Sequence, residues 1–391
     1  MESFNPEKIK KAEIIVGIPS FNESKTIGFV VEQVSLGLEK YFPNKKTVIV
    51  NLDNDSPDKT KQSFLKAKGN IPKIYISTPK GIKGKGCNFH NLFLMVKKMD
   101  ANVGISVDAD LRSISPDWIK KMAEPILNGY DFVSPYYSRC WTDGTITNQI
   151  VFPLVYGLLG WNIRQPIGGD FAFSNKVAGL WLEKKWLETT YQFGIDIFMT
   201  LNVLFSKLKT CQVNLGSKAH SSSAPKLGPM FFQVVETFFN TILDYQEEIN
   251  NKDKVENLEI LGGKKLPVFT NNKSDVQLFR ELFLDSFDSY WDLIKNTVSH
   301  PVEEKLALIH QNKQGEIDLE LWLKIVYDFL HAYKIKENKS SIIEALGCLY
   351  FGRVASFFEQ TIDLTSDEVE KKIIKQADYF FKNRDYFLDK K

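Results

Sequence analysis

Short apolar runs alternate with amphipathic stretches over residues 13–134. Four runs have the pattern of strands and each is followed by a helical pattern, the strands at 13–20, 47–53, 73–77 and 103–110 and the helices at 26–42, 57–68, 87–99 and 116–127. The runs are apolar on both faces, which predicts an α/β, Rossmann-like fold with a mostly parallel sheet between helices. Such sheets bind ligands at the carboxyl ends of their strands.

The pattern changes along the rest of the chain. An apolar helix near 148–161, a short strand at 169–174 and two helices ending near 208 extend the first region, and five long amphipathic runs follow, at 230–249, 275–295, 319–333, 341–362 and 368–387. Thr365 and Glu368 form a capping box, while Ser56-Pro57 and Ser115-Pro116 mark helix starts. We predict a catalytic domain at 1–249, a polar linker at 250–273 and an α-helical C-terminal region at 274–391.

Composition narrows the class of protein. The 391 residues include 43% apolar side chains and carry a formal charge of +2, which excludes disorder and a polybasic nucleic-acid surface. Four cysteines lie far apart, which fits a reducing cytoplasm better than a disulfide framework or a zinc site. The longest apolar stretch, 151–161, is too short to span a bilayer. We therefore expect a cytoplasmic protein with neither a membrane nor a nucleic acid as partner.

Polar residues mark the ends of the first two predicted strands, at Pro19-Ser20-Phe21-Asn22-Glu23 and at Asp53-Asn54-Asp55-Ser56. Either group alone is typical of a turn before a helix. Two such groups at neighbouring strand ends favour a site where a ribose or base is bound.

The third strand leads into Pro79-Lys80-Gly81-Ile82-Lys83-Gly84-Lys85-Gly86, directly before a helix. Glycines let backbone amides approach phosphate oxygens, and lysine adds a positive charge. The spacing differs from a P-loop, and a flexible solvated turn remains the alternative. The fourth strand ends in Asp108-Ala109-Asp110, whose carboxylates favour Mg²⁺ or Mn²⁺ bridging to a diphosphate.

The order and spacing of these motifs resemble the GT-A nucleotide-sugar glycosyltransferases. The segments 141–148 and 164–170 resemble the retaining branch that contains glucosylglycerate and glucosyl-3-phosphoglycerate synthases. The resemblance covers about residues 12–240. It implies a donor site made of Pro19, Ser20, Asn22, Glu23, Asp53, Lys85, Asp108, Ala109, Gly169 and Asp170.

The same resemblance implies roles for single residues. Asp53 would contact the base or ribose, and Lys85 the diphosphate, while Asp170 would bind the hydroxyls of the donor sugar. Asp108, Asp110 and His220 would hold the metal. The catalytic residues would be Asp110, Asp170 and Lys85.

The acceptor site implied by the resemblance is a loop, with contributions from Arg139, Gly144, Thr145, Ile146, Thr147 and Arg164. Many relatives that use phosphoglycerate have an arginine in this loop where the chain has Thr145. Losing that guanidinium favours unphosphorylated glycerate, although Arg139 or Lys218 could compensate.

Together these features predict a metal-dependent hexosyltransferase that moves glucose from an NDP-glucose to D-glycerate with retention, giving α-glucosylglycerate as a compatible solute. Alternatives are 3-phosphoglycerate as the acceptor, mannosyl transfer to glycerate, or a polysaccharide or glycolipid transferase. An inverting enzyme with Asp170 as general base and a sugar-nucleotide sensor remain open. Apolar stripes such as Trp322, Ile325, Phe329 and Tyr333 are expected to pack between helices, and a homodimer is expected.

Overall fold

The fold was analysed in a computed structural model that describes residues 2–221, 226–250, 253–265 and 275–389. Its strands are β1 Glu2–Phe4, β2 Ile14–Ser20, β3 Thr47–Asp53, β4 Lys73–Ser77, β5 Val103–Ser106, β6 Phe132–Ser138, β7 Trp161–Asn162, β8 Phe171–Ser174, β9 Thr210–Ser217, β10 Glu256–Asn257 and β11 Glu259–Leu261. Its helices are α1 Ile27–Tyr41, α2 Thr60–Lys66, α3 Lys85–Lys98, α4 Pro116–Leu127, α5 Phe152–Gly157, α6 Asn175–Glu183, α7 Ile195–Phe205, α8 Leu227–Asp244, α9 Gln246–Asn250, α10 Val276–Lys295, α11 His300–Asn312, α12 Leu319–Ile335, α13 Lys339–Glu359, α14 Ser366–Lys382 and α15 Asp385–Leu388. A π-helical turn spans Thr147–Val151 and a 3₁₀ turn spans Thr189–Tyr191.

The chain forms two compact units, each assembled from separated stretches. The first comprises Met1–Arg139, Gln165–Ser222 and Leu258–Pro267, and the second Cys140–Arg164, Ser223–Asn257 and Val268–Lys391. The unit boundaries therefore differ from the sequential boundaries predicted at 249/250 and 273/274. Within the predicted linker, β10 pairs with β7 and β11 pairs with β9, because parts of this polar stretch add strands to existing ones.

The first unit is built on a nine-stranded sheet with the order β1-β4-β3-β2-β5-β8-β6-β9-β11. Most pairs are parallel, whereas β1 and β8 run antiparallel to their neighbours. Ile14, Val16 and Ile18 pack into one buried cluster with α1 and α4, and Ile15 packs into the other with α3 and α6. Alternate side chains of a buried strand thus supply both faces, and the predicted fold class is confirmed.

Two predicted boundaries in this unit are wrong. The fourth strand ends at Ser106 instead of Asp110, because the Asp108 amide donates to Asp170 Oδ1 at 3.0 Å and leaves the ladder. Helix α2 begins at Thr60 and not at Pro57, because Asp58 accepts from the Thr60 amide at 2.9 Å while Ser56 donates to Asp53. The start at Pro116 is confirmed.

The second unit is almost entirely helical. Helix α10 packs along α13, and α14 packs along α5. The predicted stripe of Trp322, Ile325, Phe329 and Tyr333 is buried, and the capping box of Thr365 and Glu368 is present. Helix α11 was missed, although Val302, Leu306 and Ile309 have helical spacing and are buried. The predicted helix at 148–161 is instead the π-helical turn followed by the short α5.

The expectation that no helix is long and apolar enough for a membrane is wrong for one of the described helices. Helix α13 passes on length and composition, with a mean hydropathy of 1.3 over its most apolar window. However, 83% of that window is buried within the structure, which is typical of a core helix. The four cysteines are all free, with Cys211 and Cys348 buried.

Candidate active site

Lys218 is the centre of a buried charge cluster in the first unit. Its ammonium lies 2.8 Å from Asp108 Oδ2, 2.8 Å from Asp170 Oδ2 and 2.8 Å from the Gly168 carbonyl oxygen. These three acceptors match the three donors of a lysine, which is only 4% exposed. The two predicted carboxylates therefore share one cation that sequence reasoning did not place in the site.

Lys85 extends this cluster from the first residue of α3. Its ammonium donates to Asp196 Oδ2 at 2.9 Å and lies 3.5 Å from Asp108 Oδ1. Asp196 sits in the first turn of α7, where a helix N-terminus favours a carboxylate. The Oδ1 atom of Asp196 is buried without a hydrogen-bond partner among the described residues. It is therefore available to accept a hydrogen bond from a bound hydroxyl group.

We define the edge cluster as Lys85, Asp108, Asp170, Asp196 and Lys218. Burial acts to raise the pKa of Asp108, but Lys218 and Lys85 outweigh it and hold that pKa well below its usual range. For Asp170, burial raises the pKa against the attraction of Lys218, and the charge of Asp108 adds to the rise. Burial acts to lower the pKa of Lys218, yet Asp108 and Asp170 raise it well above normal.

The glycine-lysine loop before α3 is fitted closely against residues 190–192. The Gly86 amide donates to the Gln192 carbonyl oxygen at 3.0 Å, and a Cβ added to Gly86 would lie 2.0 Å from the Thr190 carbonyl oxygen. Gly84 has φ +152, and a Cβ there would lie 2.2 Å from the Tyr191 carbonyl oxygen. Only glycine fits at these two positions, and the fit fixes where Lys85 projects.

The segment after β5 is tied to the segment after β9. The Arg112 amide donates to the Ala219 carbonyl oxygen at 2.8 Å, the Ala219 amide to Ser113 Oγ at 2.9 Å, and the Ser221 amide to Asp110 Oδ2 at 3.1 Å. Predicted metal ligands Asp110 and His220 thus sit on two hydrogen-bonded segments. Arg139 Nη2 lies 3.3 Å from His220 Nε2.

The same pair of segments carries the side chains that were predicted to bind a divalent cation. Within 2–221, 226–250, 253–265 and 275–389, no three His, Cys, Asp or Glu side chains form a ready-made metal site. Two carboxylates and one imidazole are nevertheless a donor set that suits Mg²⁺ or Mn²⁺. Asp108, Asp110 and His220 therefore have ligand atoms of a suitable kind for this ion. In the structure the Asp108 carboxylate is hydrogen-bonded to Lys218.

Asp53 closes the turn after β3. The carboxylate is 1% exposed and accepts from Ser20 Oγ at 2.9 Å, Tyr75 Oη at 2.8 Å and the Ser56 amide at 3.0 Å. The Asn22 amide donates to Ser56 Oγ at 2.8 Å, with Asn22 at φ +61. In the structure Asp53 therefore orders the two predicted strand-end turns, and its contact with a base or ribose stays a prediction.

The remaining predicted donor residues lie along the same strand ends. Pro19 is paired with Leu52 in the ladder, Glu23 accepts from Thr26 Oγ1 at 2.8 Å, and Ala109 is buried. Gly169 has φ +87, and a Cβ there would lie 2.5 Å from Asp108 Oδ2. A side chain at position 169 would therefore displace the Asp108 carboxylate from Lys218.

Sequence comparisons identify relatives of known activity. A family model described as the GT domain of mannosylglycerate synthase matches residues 59–241. Mannosylglycerate synthase of Rhodothermus marinus is 37% identical over 98 residues, 24% of either chain. Glucosyl-3-phosphoglycerate synthase of Petrotoga mobilis is 26% identical over 280 residues, 64% of this chain and 82% of that enzyme. The chain is similar in sequence to these synthases over part of its length. The predicted resemblance is confirmed.

A solved structure of glucosyl-3-phosphoglycerate synthase from Mycobacterium tuberculosis contains Mn²⁺, UDP and glucosyl-3-phosphoglycerate. That enzyme is 24% identical to this chain, and the match covers 59% of this chain and 80% of the enzyme, with a TM-score of 0.48. The same bacterial enzyme has also been solved with Mg²⁺ and UDP.

Most of the predicted acceptor residues lie in the second unit. Gly144, Thr145 and Ile146 precede the π-helical turn that begins at Thr147, and Thr145 Oγ1 accepts from Tyr350 Oη at 2.6 Å. The guanidinium of Arg164 is engaged by Glu370 through two bonds, of 2.7 Å and 2.8 Å. Arg139 belongs to the first unit.

Two residues of the edge cluster were missed as site residues, Lys218 and Asp196. Lys218 is 110 residues from Asp108 in the chain and was considered only as a substitute for the loop arginine. Its place two residues before His220 was the available signal. Asp196 carries no motif, and only its hydrogen bond to Lys85 reveals it.

Proposed function

We propose that this chain is a metal-dependent hexosyltransferase that moves glucose from an NDP-glucose to D-glycerate with retention of anomeric configuration. The edge cluster behind the fitted glycine loop carries the proposal. It brings two lysines and three aspartates together beside the carboxyl end of the parallel strand β5, the edge at which such sheets bind ligands. The sequence relation to synthases that glycosylate glyceric acids supports the same reaction class.

The chain's own residues would act by charge and position. Lys85, raised in pKa by Asp108 and Asp196 against the lowering effect of burial, stays protonated and can neutralise charge on the departing diphosphate. The free Oδ1 of Asp196 can orient a hydroxyl of the donor sugar. Asp108, Asp110 and His220 would hold Mg²⁺ or Mn²⁺, which supplies Lewis-acid stabilisation of the diphosphate.

Retention is supported by the state of Asp170. Both its oxygens accept hydrogen bonds, from the Asp108 amide and from Lys218, and the residue is 0% exposed. Although its raised pKa would suit a general base, the Asp170 carboxylate is buried and both its oxygens are engaged, which disfavours the inverting alternative. In the proposed reaction a departing phosphate oxygen takes the acceptor proton.

Glycerate is favoured over 3-phosphoglycerate because Thr145 stands where many phosphoglycerate-using relatives have arginine, and because Arg164 is already paired with Glu370. Mannosyl transfer is a second candidate, favoured by the mannosylglycerate synthase match over residues 59–241. A homodimer remains a prediction that light scattering would test.

The deciding experiment crosses several NDP-sugars with glycerate and 3-phosphoglycerate, with and without Mn²⁺. We expect an α-linked glucosylglycerate by NMR, formed only with the metal. Asp110→Asn should reduce Mn²⁺ binding in calorimetry, whereas Asp117→Asn, an exposed carboxylate on α4, should not. A β-linked product, or transfer that ignores both the metal and Asp110, would contradict the proposal. Flotation with liposomes separates this reading from a glycolipid transferase.

A further inference from the structure

The predicted acceptor loop continues into a π-helical turn whose polar groups are held by the C-terminal helices of the same unit. Trp322 Nε1 of α12 donates to the Gln149 carbonyl oxygen at 2.6 Å, and Gln376 Nε2 of α14 donates to the Asn148 carbonyl oxygen at 2.7 Å. A π-helical turn has a wider hydrogen-bond pattern than an α-helix and occurs frequently at functional sites. Side chains from two helices therefore hold backbone atoms of this turn.

Tyr350 of α13 bonds to Thr145, the loop residue on which the predicted choice between glycerate and 3-phosphoglycerate depends. Its hydroxyl donates to Thr145 Oγ1 at 2.6 Å, and its ring stacks on Phe231 at 4.4 Å between centroids. A hydroxyl that accepts from Tyr350 keeps its own proton for another acceptor. Tyr350 thus sets the direction in which Thr145 can donate.

Arg353 lies one helical turn after Tyr350 and is 2% exposed. Its guanidinium donates to Gln149 Oε1 at 3.1 Å, to Gln376 Oε1 at 2.7 Å and to the Ile317 carbonyl oxygen at 2.9 Å. All three acceptors are uncharged. The fixed fork of arginine makes this contact directional, which lysine cannot reproduce.

We propose that Tyr350, Arg353, Trp322 and Gln376, here called the clamp, are positioning residues that fix the acceptor-binding loop and so set acceptor affinity. The inference rests on the proposed function, with the acceptor bound by the loop at 144–147 that the resemblance implies. It assigns a role to the helical C-terminal region, which no sequence motif explains. The clamp residues bond to Thr145, Asn148 and Gln149 and would act on the acceptor through them.

Kinetics of Tyr350→Phe test the role directly. The variant removes one buried hydrogen bond and keeps the ring, so we expect the acceptor KM to rise about five-fold, with donor KM and kcat nearly unchanged. Arg353→Lys should raise the acceptor KM further, because a lysine ammonium cannot reproduce the three directional hydrogen bonds of the planar guanidinium. The matched control is Tyr327→Phe, because the buried hydroxyl of Tyr327 donates to the Phe380 carbonyl oxygen at 3.1 Å and not to the loop.

Amide hydrogen exchange supplies a second readout that needs no substrate. Peptides covering residues 144–151 should exchange faster in Tyr350→Phe than in Tyr327→Phe or the unmodified protein. Unchanged exchange in this peptide overturns the clamp, and so does faster exchange with an acceptor KM no higher than in the control. If the unmodified protein transfers no sugar to either acid, the proposed function fails, and exchange alone then decides whether the clamp holds the loop.

Discussion

The edge cluster of the first unit and the clamp of the second both bury polar side chains, but they pair them with different kinds of partner. The edge cluster consists entirely of charged groups, with two ammonium groups among three carboxylates. The clamp has one guanidinium, and its acceptors are amide, hydroxyl and carbonyl oxygens. Charges respond strongly to a charged ligand, whereas neutral directional bonds mainly preserve a shape.

This difference predicts that chemistry belongs to the edge cluster and loop geometry to the clamp. In the proposed function a cation would compete with the lysines for the carboxylates of the edge cluster, and a diphosphate would compete with the carboxylates for the lysines. The clamp offers no such exchange, because its bonds hold the backbone. The following variants test the contrast, beginning with the largest expected effect.

Lys218→Met should be the most damaging change. It leaves Asp108 and Asp170 buried side by side without their shared ammonium, and removing one partner of a buried ion pair costs about 3 kcal/mol or more. We expect that loss in the free energy of unfolding at pH 7, measured by urea denaturation. The double variant with Asp170→Asn should recover part of it.

The loss should depend on pH with a defined sign. Burial raises the pKa of Asp170, and without Lys218 the charge of Asp108 and burial are opposed only by the hydrogen bond from the Asp108 amide. A carboxyl whose folded pKa is raised costs no stability at a pH below its unfolded pKa of about 3.9. Its cost in the free energy of unfolding increases as the pH rises above that value. The deficit of Lys218→Met should therefore grow from pH 5 to pH 8, and a constant deficit would contradict this account.

Gly86→Ala tests how far the edge cluster depends on shape. The new methyl group would meet the Thr190 carbonyl oxygen, so the loop must shift, at a cost of about 2 kcal/mol. UDP binding, measured by calorimetry with Mn²⁺, should weaken because Lys85 moves with the loop. Gly228→Ala, where an added Cβ meets nothing within 4 Å in α8, is the matched control and should be neutral or stabilising.

Glu370→Gln should have the smallest effect. Burial acts to raise the pKa of Glu370, but Arg164 outweighs it and lowers that pKa. The side chain is 38% exposed, so solvent screening limits the contribution to about 1 kcal/mol at pH 7. A lowered folded pKa gives stability above the unfolded pKa of about 4.3, which is lost as pH falls further. The difference in free energy of unfolding between Glu370→Gln and the unmodified protein should therefore be smaller at pH 3 than at pH 7.

The sheet and the strand-end motifs were predictable because apolar runs and polar punctuation are local signals. Strands β3 and β4 match their predicted bounds, and α4 does so as well. Lys218 and Asp196 were not predictable as partners, since their contacts join residues about a hundred positions apart. The start of helix α2 was mispredicted for a local reason, because Ser56 donates to Asp53 and Asp58 accepts from the Thr60 amide.

The clamp was beyond sequence reasoning for a further reason. Each of its residues fits an ordinary amphipathic helix, and a buried tyrosine or tryptophan is common in a core. Only the hydrogen bonds to residues 145–149 distinguish them from packing residues. The π-helical turn itself has no composition signal in this chain, since Thr147–Val151 reads as part of an apolar helix.

Strands β1 and β11 are the edge strands of the nine-stranded sheet, and each has three residues. A long exposed edge strand can pair with another chain, whereas a very short one offers few backbone groups for such pairing. Removing residues 2–4 would uncover β4, with its run Lys73–Ser77. The short strands β1 and β11 therefore limit edge-to-edge aggregation of the sheet.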